Sequence, residues 1–204
     1  MPRREFVPSW GACTMLKHAF KEWAVICQAL AEGRQALILR KGGIAEATGE
    51  FQLEHMRFWL FPTYVHQQRS GIKPEALPVL ERVETERPPA GRIRLSHFAE
   101  VAGVYRLHDM VGALRIRNLH LWSDETVQAR FSYRSPGLYV LLMRVYRARQ
   151  VTELPDTASY AGCRSWVELE RELPTEAAVP LLNDAEFDDR RRQLDQLLNP
   201  TALA

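Results

Sequence analysis

The sequence predicts an α+β fold, one domain over residues 1–204 built on a mixed or mainly antiparallel sheet with flanking helices, and three observations predict it. Leu16, Phe20, Trp23, Cys27 and Leu30 recur every three or four residues, the spacing of one helix face. Residues 35–39 and 57–61 are short runs too uniformly apolar for strands with a wet side. Val127, Ala129, Phe131 and Tyr133 alternate with polar residues, then Ser135-Pro136-Gly137 turns the chain into a second apolar run.

Taken in order, the first spacing predicts a helix over 17–30, with Thr14 as its cap and Gly33 as its end. A buried strand follows over 35–39 and breaks at Gly42-Gly43, and residues 44–52 read as an exposed loop. The second buried strand, 57–61, is stopped by Pro62, and Thr63 is placed to cap a short helix carrying Tyr64, His66 and Gln67. Residues 70–90 hold Pro74, Pro78, Pro88 and Pro89 and read as a connector or insertion with one surface helix around 75–83.

A strand over 93–107 is expected to break near 100–103, His108-Asp109 opens a short helix through Leu114, and 119–122 forms a brief strand. The alternating stretch 127–133 and the apolar run 138–146 read as a central hairpin, in which Gln128 faces Arg144 with Arg130 beside them. Residues 163–169 alternate again, with Arg164, Trp166 and Glu168 on one face. The last element is a helix over 184–198, capped by Asp184, with Phe187, Leu194 and Leu197 inward and Arg190, Arg191 and Arg192 in solvent.

The chain has 204 residues, 46% of them apolar, which is ample for a core. No run approaches the ~20 apolar residues of a membrane span and the first residues lack a secretion signal, so the expectation is a cytoplasmic protein without a membrane partner. Cys13, Cys27 and Cys163 show no CxxC spacing and read as core thiols. The net charge is only +2, yet all but four of the 27 basic residues are arginine, the side chain best suited to bidentate phosphate contact.

Two groups of residues read as a site. Thr63, Tyr64, His66 and Gln67 stand where a buried strand ends, a place where polar side chains and backbone N–H groups converge, and His66 is the candidate acid–base group. Arg40, Lys41, Gly42 and Gly43 add two cations and two residues without Cβ, which let an anion approach the backbone. A helix cap explains the first group as well, and a plain turn the second. No Lys-Ser or Lys-Thr follows the glycines as a P-loop requires, the histidines form no HxH or HxxxH pair, and no GxSxG is present. No cofactor is named by any motif.

The segments 21–25, 39–44, 61–64, His66-Gln67 and 162–167 resemble an uncharacterised bacterial family, the domain of unknown function 1802, across nearly the whole chain. More distantly, a helix followed by Gly33 and, seven residues on, Arg40 resembles the signature of ASCH domains in the PUA-like superfamily. That resemblance implies a small β-barrel with flanking helices and a role in RNA binding or hydrolysis of acylated nucleosides. Gln35 and Ile38 stand where catalytic ASCH members resemble one another in carrying a lysine and a glutamate, so that amidase chemistry is not implied.

The reading that follows is binding of RNA or a nucleotide-like ligand. Arg40, Lys41, Arg130 and Arg164 would contact phosphate, Tyr64 or Trp166 would stack on a base, and His66 and Gln67 would hydrogen-bond its edge. The alternatives are a hydrolase of a nucleoside or phosphate ester with His66 as acid–base group, a metal-dependent nuclease using Glu22 with Glu54 and Glu168, and a non-catalytic interaction protein.

Overall fold

The computed structural model describes residues 15–41, 53–162 and 164–198. The stretch whose spacing suggests a helix over 17–30 is extended as far as Trp23 and helical only beyond it: β1 spans Met15–Trp23, and α1 (Ala24–Ala31) begins there. The reason is burial on both sides. β1 lies between β3 (Arg57–Thr63), to which it runs parallel, and β6 (Trp166–Pro174), with Phe20 level with Leu60 on one edge and Trp166 on the other. Ala19 and Phe20 are both fully buried, so the alternation that marks a strand is erased. Gly33 ends α1 as expected, at φ +65, its N–H donating to Leu30 O (3.0 Å) while that of Arg34 donates to Ala29 O (2.9 Å).

β2 (Leu37–Arg40) is buried as predicted. β3 runs through Pro62 to Thr63 rather than stopping before the proline. It pairs with β4 (Arg92–Leu107) only at Arg57, Phe58 and Trp59, so beyond Trp59 only its β1 edge is paired and the missing N–H of Pro62 breaks no ladder. Thr63 caps no helix; its hydroxyl donates to Glu22 O (3.0 Å) and residues 64–68 have no helical turn. The surface helix of the next segment is α2 (Leu77–Thr85), which buries Val79, Leu80 and Val83.

β4 breaks register between Val101 and Gly103, within the predicted interruption, and again between Leu95 and His97. Asp109 caps α3 (Met110–Arg115), accepting from Gly112 N–H at 2.7 Å. The strand expected over 119–122 is a single bridge between Trp122 and Ile72.

The largest correction concerns residues 127–133, which form no strand. Ser123 accepts from Thr126 N–H (3.2 Å), Asp124 and Glu125 fill the first turn, and α4 (Asp124–Ser132) follows. Val127 and Phe131, four apart, are buried while Ala129 and Tyr133 are exposed, so the apparent alternation is a helical face read at the wrong period. The hairpin and its pairing of Gln128 with Arg144 do not arise. β5 (Leu138–Pro155) pairs instead with β4 and β2, continues well past Tyr146, and takes up β7 (Val179–Pro180). β6 starts at Trp166, leaving Arg164 ahead of it, and buries both Trp166 and Val167. α5 (Asp184–Leu198) buries Phe187 and Leu194, but Asn183 rather than Asp184 caps it, exchanging hydrogen bonds with Glu186 at 2.9 Å in each direction.

The strands form one mixed sheet in the order β2-β5-β4-β3-β1-β6, with β7 beside β5. Its ends, β2 and β6, do not pair among the described residues, so the barrel implied by the second resemblance is not closed. Alternate residues of β3 enter two cores: Phe58 and Leu60 pack with the α-helices, while Trp59 and Phe61 pack with Ile93, Leu154 and Leu169 of the strands and with Tyr160 of a single 3-10 turn. The sheet therefore coils, bringing the far end of the β4–β5 ribbon toward β6. No described helix is long and apolar enough to cross a membrane.

Candidate functional site

The ends of β1, β2 and β3, the start of β4 and the residues just ahead of β6 surround a cleft of about 720 Å³, with Arg130 of α4 and the turn that follows β5 completing its lining. That volume falls in the range of small-molecule sites. Among the candidates, Arg40, Thr63, Tyr64, His66, Arg130 and Arg164 all reach this cleft. Positions far apart in sequence thus share one surface because three strands and a helix end there.

The deepest feature is a carboxylate between guanidinium groups. Glu22, 2% exposed, takes Arg40 Nη1 on Oε2 (3.2 Å) and Trp23 N–H on Oε1 (2.8 Å). Arg40 gives its other terminal nitrogen to Ser165 Oγ (2.7 Å), and its Cζ lies 4.4 Å from the Phe20 ring centroid. Arg130 donates Nη1 to Leu39 O (3.2 Å) and rests against two indoles, 5.0 Å from the centroids of Trp23 and Trp122. Burial pushes Arg130 down to about 10, against the opposing pull of Glu22, and it stays charged at neutral pH.

Trp23 is fixed from beneath by Gly71, whose missing Cβ would sit 2.7 Å from the indole. Lys21, on the other face of β1, donates to Tyr160 O and to Gly162 O (3.2 Å) and tethers the loop before β6.

The rim differs. Tyr64 is half-buried with the Arg87 guanidinium 4.6 Å from its ring centroid, and burial pushes its phenol up. His66, Arg87, Arg92 and Arg164 are exposed. Thr63 ties β3 to β1 through the bond to Glu22 already described.

Three expected members lie elsewhere. Lys41 turns away to the chain after α4, donating to the carbonyls of Phe131 (3.4 Å), Ser135 and Gly137 (2.8 Å). Gln67 caps α1: its Oε1 accepts from Val25 N–H (3.1 Å) and its amide donates to Glu84. Trp166, 8% exposed, is packed among Phe20, Phe58 and His55, with ring centroids 4.7 to 5.2 Å away, so it offers no open ring face for a base. Gly42, Gly43 and Cys163 lie outside the described residues.

The carboxylates of the nuclease reading do not meet. Glu22 is held by Arg40, and Glu168 pairs with Lys17 (2.7 Å) at the surface. Among the described residues no group of three or more His, Cys, Asp or Glu is placed to hold a metal ion.

Sequence reasoning missed the pairing of Glu22 with Arg40 and the roles of Lys21, Trp23 and Ser165. The one available signal was charge: Lys21 and Glu22 sit inside an apolar stretch where an ionised pair needs partners.

The geometry can be set beside known proteins. A family model described as a domain of unknown function, DUF1802, matches residues 19–193. No curated protein matches the sequence. Among solved structures, the ASCH protein of Zymomonas mobilis is similar at 12% identity and a TM-score of 0.42, over 87% of this chain and 94% of that one. Its tyrosine-to-phenylalanine variant is similar at 13% and 0.44, over 76% and 90%. Its serine-to-alanine variant is similar at 12% and 0.43, over 87% and 94%. A likeness at this level is too loose to carry a function from one chain to the other.

Proposed function

The chain belongs to the DUF1802 family, and we propose that it binds RNA or a nucleotide-like ligand in the cleft at the ends of β1, β2 and β3. One observation carries this reading: Arg40, Arg130 and Arg164 line the same cleft as the Tyr64 ring. Guanidinium groups supply bidentate donors for phosphate oxygens, and an aromatic side chain supplies a stacking surface that any base can use. Thr63 and Ser165 add hydroxyl groups to the same lining. His66 stands at the rim as a hydrogen-bond group for a base edge. It is exposed and no described side chain orients its ring, which favours contact with ligand over acid–base chemistry.

The test is equilibrium binding of a short single-stranded RNA at rising salt. Three phosphates held by the cleft would make log affinity fall with log salt at a slope of about −2. Arg40→Ala with Arg164→Ala should flatten that slope and weaken binding at low salt. Absence of binding to RNA and to mononucleotides at low salt would overturn the reading.

A further inference from the structure

We propose that the floor of this cleft takes a terminal phosphate, the phosphomonoester end of an RNA or a nucleotide, in preference to an internal phosphodiester. The inference rests on the RNA or nucleotide reading and names the group that the half-buried Arg40 and Arg130 recognise.

Its first support is how the floor is closed. Arg40 and Arg130 share the buried Glu22 carboxylate as electrostatic neighbour. Behind them stand Phe20, Leu39 and Trp122, none more than 0% exposed. A phosphodiester continues into chain on both sides and needs two ways out. A phosphomonoester needs one, and a floor backed by fully buried residues suits it.

The second support is the state of Arg130. A flat guanidinium resting on two indoles presents its N–H edge, and among the described residues Arg130 spends only Nη1 on a hydrogen bond, to Leu39 O. The remaining donors of that edge form a fork for two oxygens of one phosphate. Arg40 is already oriented by Glu22 and Ser165, so little side-chain freedom is lost on binding.

Charge gives the third support. Two guanidinium groups against one carboxylate leave the floor positive, and Arg164, next to the Ser165 that Arg40 holds, adds to it. A phosphomonoester carries close to two negative charges at neutral pH and a diester one, and a poorly solvated site separates those charges more strongly than water does. The depressed Arg130 guanidinium points the same way, since an anion at its edge restores what burial removes.

The experiment compares one short RNA sequence in three forms, with a 5′-phosphate, with a 3′-phosphate, and with hydroxyls at both ends, on the full chain at one fixed salt concentration. One phosphorylated form should bind about tenfold or more tightly than the hydroxyl form, and which one does so tells which end the floor accepts. Arg130→Met should abolish that preference. If this variant does not fold, the unaltered protein decides: a nucleoside monophosphate should displace labelled RNA at concentrations where the nucleoside does not. Equal affinity for all three RNAs overturns the terminal-phosphate proposal and leaves RNA binding standing. Failure of all three RNAs and of the monophosphate removes both.

Discussion

The two walls of the cleft hold their cations differently. On the β1–β2–α4 side, Arg40 and Arg130 are packed against aromatic rings and fixed by Glu22, Ser165 and the Leu39 carbonyl. On the opposite side, Arg87 and Arg92 stand in solvent, and among the described residues Arg87 has the Tyr64 ring alone for support. The same residue type serves two purposes. A buried guanidinium must be compensated before any ligand arrives, so it is part of the fold, while a solvated one is free to adjust to what binds.

The strongest way to break this contrast is Glu22→Gln. Removing the buried carboxylate that faces two half-buried guanidinium groups should cost about 3 kcal/mol or more of stability, read as a lowered urea midpoint with an unchanged m-value. A loss no larger than that of a surface substitution would mean that the deep wall is as well solvated as the rim.

Acid offers a second, smaller test of the same wall. His120 packs beside Trp122, behind the floor, and burial, reinforced by Lys73 and Arg130, pushes it down to about 3. The folded pKa lies below the unfolded value of 6.5, so above that pH both states are neutral and His120 contributes nothing. As pH falls below 6.5 the unfolded chain takes up a proton that the folded chain refuses. Stability then declines toward about 1.4 kcal/mol per pH unit, about 2 kcal/mol by pH 5, and levels off near pH 3. His97, pushed down to about 4 chiefly by burial, adds a similar decline. Unfolding curves at pH 7, 6 and 5 should lose one of these contributions in His120→Gln; an unchanged slope would place water behind the floor.

The smallest effect on stability belongs to the rim. Arg87→Ala should change the unfolding free energy by no more than about 0.5 kcal/mol, yet weaken RNA binding about threefold to tenfold through the lost cation at the stacking face. Equal losses in stability and affinity would erase the distinction between the walls.

Much of the architecture was legible because local signals agreed with tertiary ones. Gly33 ends α1 where a left-handed residue is required, the interruption in β4 falls within the predicted window, and α5 has the range its apolar spacing implies. Two elements were misread for the same physical reason. Spacing reports a period only when one face is wet, and β1 is covered on both, so Leu16, Phe20 and Trp23 imitate a helix. In and just after α4 the exposed positions 129 and 133 carry Ala129 and Tyr133, whose apolar character imitates a strand until Ser123 is recognised as a cap. At the site, Arg40, Tyr64 and Arg130 were legible as residue types, but their meeting depends on pairing between β1 and distant strands. Trp166 shows the limit from the other side, because nothing local distinguishes a stacking tryptophan from one sealed beneath Phe20 and Phe58.

The placing of β1 has a consequence for how the protein is made. This strand bears Lys21 and Glu22, is edged by β3 and β6, and its Phe20 faces Trp166. The bond from Arg40 to Ser165 spans 125 residues of sequence. At a synthesis rate of about 5–20 residues per second, a nascent chain waits roughly 6 to 25 s between those two residues. Through that interval one edge of β1 is bare and Arg40 lacks Ser165. The cleft is therefore completed only after the chain through Ser165 has left the ribosome, and a truncated product ending before β6 would carry every rim residue on 64–94 and no finished floor.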